Sequence, residues 1–420
     1  MKRLYIKELK PGSKSVLVRG WVQRIKLLGK LAFIVLRDTS GILQCIAKQD
    51  FKDFKELSNI TPESVVEITG IVKKSKQAKK GYELEIKDLK LISKSLAPLP
   101  ADVEKSQTFI DKRLDNRFLD LRRPEIQAIF KIQSEIANSF REFFYKKGFI
   151  EMQPPSIISS SSEGGTELFP AQYFEKKAFL AQSPQLYKQM LTSSLENVFM
   201  ITPVWRAEKH NTPRHLNESR QMDIEMAFAD QFIVMKELEE SVKYIVKKII
   251  EKCKNELEIL NIKLKIPKAV YLSYEQAIKK VNGKLGDDFT PEQEKKLCEI
   301  YPNTIVFTHS WPVELKPFYI MPKDENIKSK LSEGFDALFN GMEISSGGQR
   351  VHIPELLVEM LKLKKLNPKN FTDYINSFKY GTPYHAGWSI GLERFTMTLL
   401  NLNNIRECTL FPRDRNRLTP

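Results

Sequence analysis

ITPVWRAEKHNTPRHLNESRQMDIEMAFAD, residues 201–230, decides how this chain is read. Two apolar runs, 198–205 and 222–228, have the composition of strands, and the loop between them is polar and rich in cations, the pattern of a long antiparallel hairpin. The outward strand ends in Arg206-Ala207-Glu208, and the tip carries Lys209, His210, Arg214 and His215. Asp223 and Glu225 on the return strand share one face, because strand side chains alternate. Such a cradle suits a polyanion. A surface hairpin with solvated charges has the same local pattern, so the flanking segments must decide between the two.

Those segments supply partners. FIEMQPPSII (149–158) is extended and broken by Pro154 and Pro155. A helix precedes it, with Pro124 at its start, Ile126, Ile129, Ile132, Ile136, Phe140, Phe143 and Phe144 at helical spacing, and Gly148 as its cap. Its apolar stripe is broad enough to pack on a core or on a second subunit. SEGGTELF (162–169) sets a glycine pair beside Glu163, which suits a loop that closes over a small ligand and offers a carboxylate to an amine; a plain surface turn has the same composition. QSPQLYKQ (182–189) turns at Ser183-Pro184 into a helix on which Gln185 and Lys188 share a face. In FDALFNGMEISSGGQR (335–350), Asp336, Glu343, Ser346 and Arg350 interrupt an apolar alternation. Acids buried there need a cation, either magnesium carrying phosphates or an internal ion pair. GWSIGLERFTMTLL (387–400) leads from a glycine-containing turn into a helix with Arg394 near its start, a bare backbone beside an arginine that suits a nucleotide.

The first hundred residues read differently. Runs at 15–25, 31–38, 42–48, 64–74 and 82–92 alternate with turn signals, and five strands at this spacing predict a small closed barrel of the oligonucleotide-binding (OB) type. Trp21, Gln23, Arg24, Lys26 and Phe33 put aromatic and basic groups on neighbouring strands, as stacking of unpaired bases requires; Trp21 and Phe33 suit a barrel core equally well. Ala97-Pro98-Leu99-Pro100 closes the barrel, and the polar stretch to 125 is expected as a hinge. The order is therefore an OB-type barrel over 1–100, a linker over 101–125 and a large α+β domain over 126–420, an antiparallel sheet flanked by helices. The Lys- and Glu-rich part at 262–298 reads as peripheral.

Composition narrows the partners. A formal charge of +15 over 420 residues favours a polyanion, nucleic acid first. Cys45, Cys253, Cys298 and Cys408 show no C-x-x-C spacing, so neither a zinc site nor a disulfide framework is indicated. MKRLYIKELKPG at the start has no apolar signal core, and no window approaches the ~18 apolar residues of a membrane span, so a cytoplasmic protein without a membrane partner is expected.

Taken together, these motifs resemble a class II aminoacyl-tRNA synthetase, and over the full length the aspartyl type of archaea. FIEMQPPSI resembles motif 1, with Pro155 at the signature proline near a dimer interface; the 201–230 hairpin resembles motif 2, and GLERF (391–395) motif 3. The resemblance implies an anticodon-binding barrel using Trp21, Gln23, Arg24, Phe33 and Lys79, and a homodimer that binds tRNA, ATP, L-aspartate and Mg²⁺. It implies Arg206 on the amino-acid carboxylate and the α-phosphate, and Ala207, Glu208, Arg214, His215 and Leu216 around ATP. Gly391, Leu392, Glu393 and Arg394 follow at motif 3, with Arg394 on the γ-phosphate. Glu343, Ser346 and Asp336 would hold magnesium. Glu163 would meet the substrate ammonium beside Ser183 and Gln185, while Lys188 and Arg350 grip the side-chain carboxylate and Asp223 braces Lys188. Arg206, Arg394 and Glu343 carry catalysis by positioning and charge neutralisation, with no general base. Trp205 stands where Phe is common, and Ala386 and Ser389 where Gly is frequent.

A side-chain carboxylate calls for two cationic donors, whereas an amide also needs an acceptor. Lys188 with Arg350 meets the first need. The asparaginyl relatives usually lack that lysine and carry Glu in place of Asp223, so aspartate is favoured over asparagine. A non-catalytic tRNA-binding paralogue typically loses a motif arginine or the metal acid, and Arg206, Glu343 and Arg394 are all present. An ammonia-dependent asparagine synthetase on the same fold leaves the barrel and the charge without purpose. Whether tRNA for asparagine is charged as well turns on residues near Gln23, Arg24 and 77–80, where Lys79 leans towards restriction.

Overall fold

The computed structural model describes residues 1–12, 15–78, 80–101, 109–160 and 167–420, and the chain divides into two compact units, Met1–Asp102 and Val103–Pro420. In the first, β1 (Val16–Leu28), β2 (Leu31–Asp38), β3 (Gly41–Lys48), β4 (Val65–Lys74) and β5 (Tyr82–Ser93) close into a barrel in the order β1-β2-β3-β5-β4. Alternation builds its core: Val16, Val18, Val22, Ile34, Leu36, Cys45, Val66, Ile68 and Leu84 are buried together. Trp21 and Phe33 are of the other parity. Both are half-buried and outside that core, with Phe33 opposite Lys26 and Trp21 opposite Arg37 in the β1–β2 register. Gln23 sits at the register shift between Val22 and Arg24, and Arg24 is exposed. Lys79 lies outside the described residues.

The second unit begins with a correction. Helices at Ile110–Asp115 and Arg117–Asp120 occupy what composition presents as linker up to residue 125. Arg117 is fully buried, giving Nη1 to Asp120 Oδ2 (2.5 Å) and its other nitrogens to the carbonyl oxygens of Glu407, Thr409 and Leu410. Asp120 also pairs with Arg113 and Arg123. Arg117 looks solvated in the sequence because its carbonyl partners are almost three hundred residues away; satisfied in this way these charges are tolerable inside. The helix Pro124–Lys146 follows, with its stripe from Ile126 to Phe144 buried and Gly148 at φ +80° closing it.

The strands that follow are β6 (Ile150–Glu151), β7 (Ile157–Ile158), β8 (Pro170–Tyr173), β9 (Lys176–Leu180), β10 (Asn197–Trp205), β11 (Glu218–Ala227), β12 (Lys268–Ser273), β13 (Thr304–His309), β14 (Gly334–Phe339), β15 (Met342–Gln349) and β16 (His385–Gly391). β7, β9 and β8 form a small sheet, and the other eight form one large sheet in the order β12-β13-β14-β15-β16-β11-β10-β6. It is mixed, not wholly antiparallel. Each edge strand runs parallel to its neighbour, β6 to β10 and β12 to β13, and both connections carry the helices that a parallel crossover needs. The hairpin is β10–β11, paired from Asn197↔Met226 to Trp205↔Glu218. Its return strand starts at Glu218, ahead of the apolar run, because residues 218–221 are polar where the strand borders a cavity.

Parity separates core from site. On β11, Met222 and Ile224 join the apolar core with Trp388 and Ile390 of β16, beneath the helices Pro124–Lys146 and Gln231–Lys252. Phe140 and Phe144 pack there on Phe199 and Trp388, with ring centroids 5.8–6.2 Å apart. The alternate residues Asp223 and Ser389, opposite each other in register, turn to the other face. No helix among the described residues is long and apolar enough to cross a membrane.

Gly387 of β16 is where this face is tightest: a Cβ there would meet Ile224 O and Glu225 Oε2, each at 2.3 Å. Gly387→Ala should therefore destabilise the second unit by about 1–3 kcal/mol, as overpacking does. Urea denaturation followed by circular dichroism checks this, with unchanged stability as the contrary result.

Candidate active site

A cavity of about 330 Å³ opens on the polar face of the large sheet. The hairpin contributes Arg206, Glu208, Arg214, His215 and Leu216; the turn before the helix Gln185–Leu195 contributes Ser183 and Gln185. β15 and the residue after it bring Glu343, Ser346 and Arg350, and the start of the helix Leu392–Leu399 brings Gly391, Glu393 and Arg394. Segments about two hundred residues apart thus converge because β11, β16 and β15 are adjacent in the sheet. Ala207 and Leu392 do not line the cavity. Ala207 donates its N–H to Glu167 O, and the side chain of Leu392 is in the core. Glu163 lies outside the described residues.

Under one end of the cavity is a buried set of four charges. Lys188 Nζ lies 2.7 Å from Asp223 Oδ1, 3.4 Å from Glu225 Oε2 and 3.2 Å from Trp388 O. Arg350 gives Nε and Nη2 to the two oxygens of Glu225, at 2.8 and 3.3 Å, and Ser389 Oγ donates to Asp223 Oδ2 at 3.0 Å. All four charged residues are at most 2% exposed, so each depends on its partners. Burial raises the Asp223 carboxyl against the pull of Lys188; on Glu225 burial is outweighed by Arg350 and Lys188, which hold it below the usual carboxylate range. Of the four, Arg350 alone reaches the cavity wall. Behind it, His385 is buried beside Gln189, whose Oε1 also accepts from Tyr374 Oη at 2.6 Å. Burial pulls the His385 imidazole down to about 4.

The other end sets arginines among buried carboxyls. Arg394 points Nη1 at the Glu343 backbone oxygen (3.4 Å), and Arg214 Nη1 is 3.5 Å from Glu294 Oε2. Burial, reinforced by Asp336, pushes the Glu343 carboxyl up to about 7; burial, reinforced by Glu343, does the same to Glu294. Burial also lifts Glu393 to about 7, although it accepts the Arg220 N–H at 2.9 Å. His215 is lowered by burial, its Nδ1 2.6 Å from Thr212 Oγ1. Gln185 Nε2 and Gln221 Oε1, on the cavity wall, are buried without hydrogen-bond partners among the described residues, which marks a place for a polar ligand.

Asp336, expected to hold magnesium with Glu343 and Ser346, has Lys316 Nζ 2.6 Å from its Oδ2, an internal ion pair. Among the described residues no cluster of three His, Cys, Asp or Glu side chains is arranged around a metal ion. Glu294 is the clearest omission: it belongs to the 262–298 part that composition marks as peripheral, yet the helix Pro291–Ile300 brings it to Arg214. Arg406 is another. It pairs with Asp414 and bonds Thr212 O and Asn211, holding the hairpin tip from the C-terminal side, and no local pattern reveals it.

With this geometry in view, the family is decided by a match to the model of tRNA synthetases class II (D, K and N) over residues 110–415. The chain belongs to that family. An OB-fold nucleic acid binding domain matches residues 16–92. Among relatives, the aspartate–tRNA(Asp/Asn) ligase of Methanocaldococcus jannaschii is 46% identical over 99% of this chain and 98% of its own. The aspartate–tRNA(Asp) ligase of Pyrococcus horikoshii is 45% identical over 97% and 96%. Among solved structures, asparaginyl-tRNA synthetase from Pyrococcus horikoshii with asparaginyl-adenylate superposes with a TM-score of 0.92 at 32% identity, covering both chains completely. The family implies ATP-dependent chemistry.

In this synthetase fold His385 should be visible as an acid-sensitive element. Its folded value, about 4, lies below the ordinary 6.5, so on acidification the unfolded chain takes up the proton first. Stability from this group is present above pH ~6.5 and is lost as pH falls to ~4, to a total of about 3 kcal/mol. His385→Gln should flatten that limb in urea denaturation between pH 7 and 4; parallel curves for variant and parent would count against it.

Proposed function

We propose that the chain is an aspartate–tRNA ligase: it activates L-aspartate with ATP, releasing pyrophosphate, and transfers the aspartyl group to the 3′ end of tRNA. The carrying observation is the use made of Arg350 and Lys188. Arg350 commits Nε and Nη2 to Glu225 and lines the cavity. Both nearby carboxylates are engaged, Asp223 by Lys188 and Ser389, Glu225 by Arg350 and Lys188. What this end offers is donors, which suits a carboxylate; an amide would also want an acceptor. Identity of 45–46% to relatives named aspartate–tRNA ligases supports the same choice.

In this reading Arg350, backed by Lys188 and Asp223, takes the side-chain carboxylate, while Ser183, Gln185 and Glu163 meet the substrate amine. ATP lies along Glu208, Arg214, His215 and Leu216, with Gly391 and Glu393 beside it, and Arg206 and Arg394 face its phosphates. The α-carboxylate oxygen of aspartate attacks the α-phosphorus in line. A new P–O bond forms as the bond to the pyrophosphate oxygen breaks, and a terminal adenosine hydroxyl then displaces AMP from the aspartyl carbonyl. Charge spreads over phosphoryl oxygens, so the two arginines contribute through fixed electrostatics.

Mg²⁺ fits the residues present in a particular way. Glu343 is a buried carboxyl held up by burial and by Asp336, and Ser346 shares its wall. Two protein oxygens with ATP phosphates and water completing the shell is how Mg²⁺ is usually held. Glu343 and Ser346 would hold it, where it would neutralise phosphate charge, with Asp336, paired with Lys316, acting on Glu343 from nearby. A homodimer is part of the proposal: β6 is an edge strand, and Ile150 and Ile157 beside Pro154-Pro155 are about half exposed, at 46% and 50%. A cytoplasmic location accords with four free, buried cysteines.

Aspartate-dependent ATP–pyrophosphate exchange tests the activation step directly, and its absence from the pure protein would overturn the proposal. Arg350→Lys keeps the charge but loses the fork, so kcat/KM for aspartate should fall about ten- to hundredfold, with KM for ATP nearly unchanged. An equal effect on both substrates would contradict the assignment. Charging purified tRNA for aspartate and for asparagine in parallel decides how many tRNAs are used, since the named relatives include both kinds. Light scattering at micromolar concentration should give the mass of two chains; one chain's mass would remove the dimer.

A further inference from the structure

The tip of the hairpin is a turn built on Pro213. His215 donates its N–H to Thr212 O at 3.4 Å, closing four residues, and proline in second place presets the backbone angle that such a turn needs. The Thr212 side chain folds back into the turn: its Oγ1 accepts the Arg214 N–H at 3.2 Å and lies 2.6 Å from His215 Nδ1. One hydroxyl thus touches both of the turn's residues that line the cavity. A hydroxyl has a single hydrogen, and accepting from Arg214 leaves that hydrogen for the ring. Burial favours a neutral imidazole here, and donation to Nδ1 puts its proton on Nε2, the nitrogen 3.7 Å from Glu208 Oε2.

The turn is held from outside the hairpin. Ile405 donates its N–H to Pro213 O at 2.9 Å, and Arg406 gives Nη1 to Thr212 O at 3.2 Å and Nη2 to Asn211 Oδ1. Arg406 is only 8% exposed, and its Nε lies 2.5 Å from Asp414 Oδ2, which fixes the plane of the fork. Asp414 is itself anchored, its Oδ1 accepting the N–H groups of Asn416 and Arg417 at 2.9 and 3.0 Å. A chain of hydrogen bonds therefore runs from Asp414 through Arg406 to Thr212 and ends on Arg214 and His215. Neither Arg406 nor Thr212 lines the cavity, so whatever they do there they do through those two residues.

We propose that Arg406 and Thr212 are positioning residues for ATP: Arg406 fixes the turn, and the Thr212 hydroxyl sets the Arg214 backbone and the His215 ring. A surface turn left to itself orders its side chains only when the ligand arrives, which lowers affinity; a turn already held has met that cost in folding. The inference rests on the ligase reading above, and it assigns the segment from Ile405 to Asp414 to the activation step.

Aspartate-dependent ATP–pyrophosphate exchange on the full chain tests it with three variants. Thr212→Val removes the hydroxyl and keeps the shape, Thr212→Ser keeps the hydroxyl, and Arg406→Lys keeps the charge and loses the fork. Thr212→Val and Arg406→Lys should each raise KM for ATP about five- to tenfold, the effect of a lost hydrogen bond, with KM for aspartate within about twofold of the parent. Thr212→Ser should keep KM for ATP within about twofold of the parent. Because both residues act through one turn, combining Thr212→Val with Arg406→Lys should raise KM for ATP by less than the product of the single effects. An unchanged KM for ATP, an equal rise for both substrates, a serine variant as impaired as valine, or effects that multiply would each overturn the proposal. If Arg406→Lys does not fold, the two threonine variants decide alone. Absence of exchange in the parent would instead overturn the ligase reading.

Discussion

The contact on which the rest depends is Lys188 held between Asp223 and Glu225, with Arg350 closing the other side of Glu225. Four charges buried together have given up several kcal/mol of hydration each, and removing one partner from such a set costs about 3–5 kcal/mol. The set exists only if four segments meet: the helix Gln185–Leu195, β11, the residue after β15, and β16, whose backbone supplies Trp388 O and whose Gly387 leaves room for Glu225. Hydrophobic residues of the same volume would be at least as stable there. What the charges provide is a fixed position for Arg350 at the cavity wall, its nearby carboxylates already engaged.

The same sheet keeps two chemically different ends of one cavity apart. Near Lys188 and Arg350 each charge has an internal partner, so Arg350 is held in one place at the cavity wall. Near Glu343, Glu294 and Glu393 the carboxyls are raised towards neutrality by burial, helped by Asp336 on Glu343 and by Glu343 on Glu294, and Arg206, Arg214 and Arg394 stand near them. A ligand bringing several negative charges with its own cation fits that end. The outward side of the hairpin borders both this cavity, through Arg206 and Glu208, and a groove beside the C-terminal segment, through Trp205 and Glu208.

Legibility in the sequence followed locality. Asp223 and Glu225 could be placed on one face from alternation, and Arg206, Arg214 and Arg394 from their position beside turns, because period and turn chemistry are properties of a few consecutive residues. Glu294 could not. Its helix carries the lysines and glutamates of a solvated surface, and only the packing of that helix brings one glutamate to Arg214. Arg117 reads as linker for the same reason, its carbonyl partners lying at 407–410.

By itself the sequence determined the barrel, the hairpin, the large sheet domain and the residue types available to the site, since each follows from short-range pattern. Tertiary structure decided the rest: that both edge strands run parallel, that Asp336 pairs with Lys316, that Lys188 lies behind Arg350, and that the C-terminal arginines border a groove. Each of these depends on which distant segment arrives first at a charge or an edge. Charge pairing acts through space over a few ångströms, and a linear pattern carries no record of it.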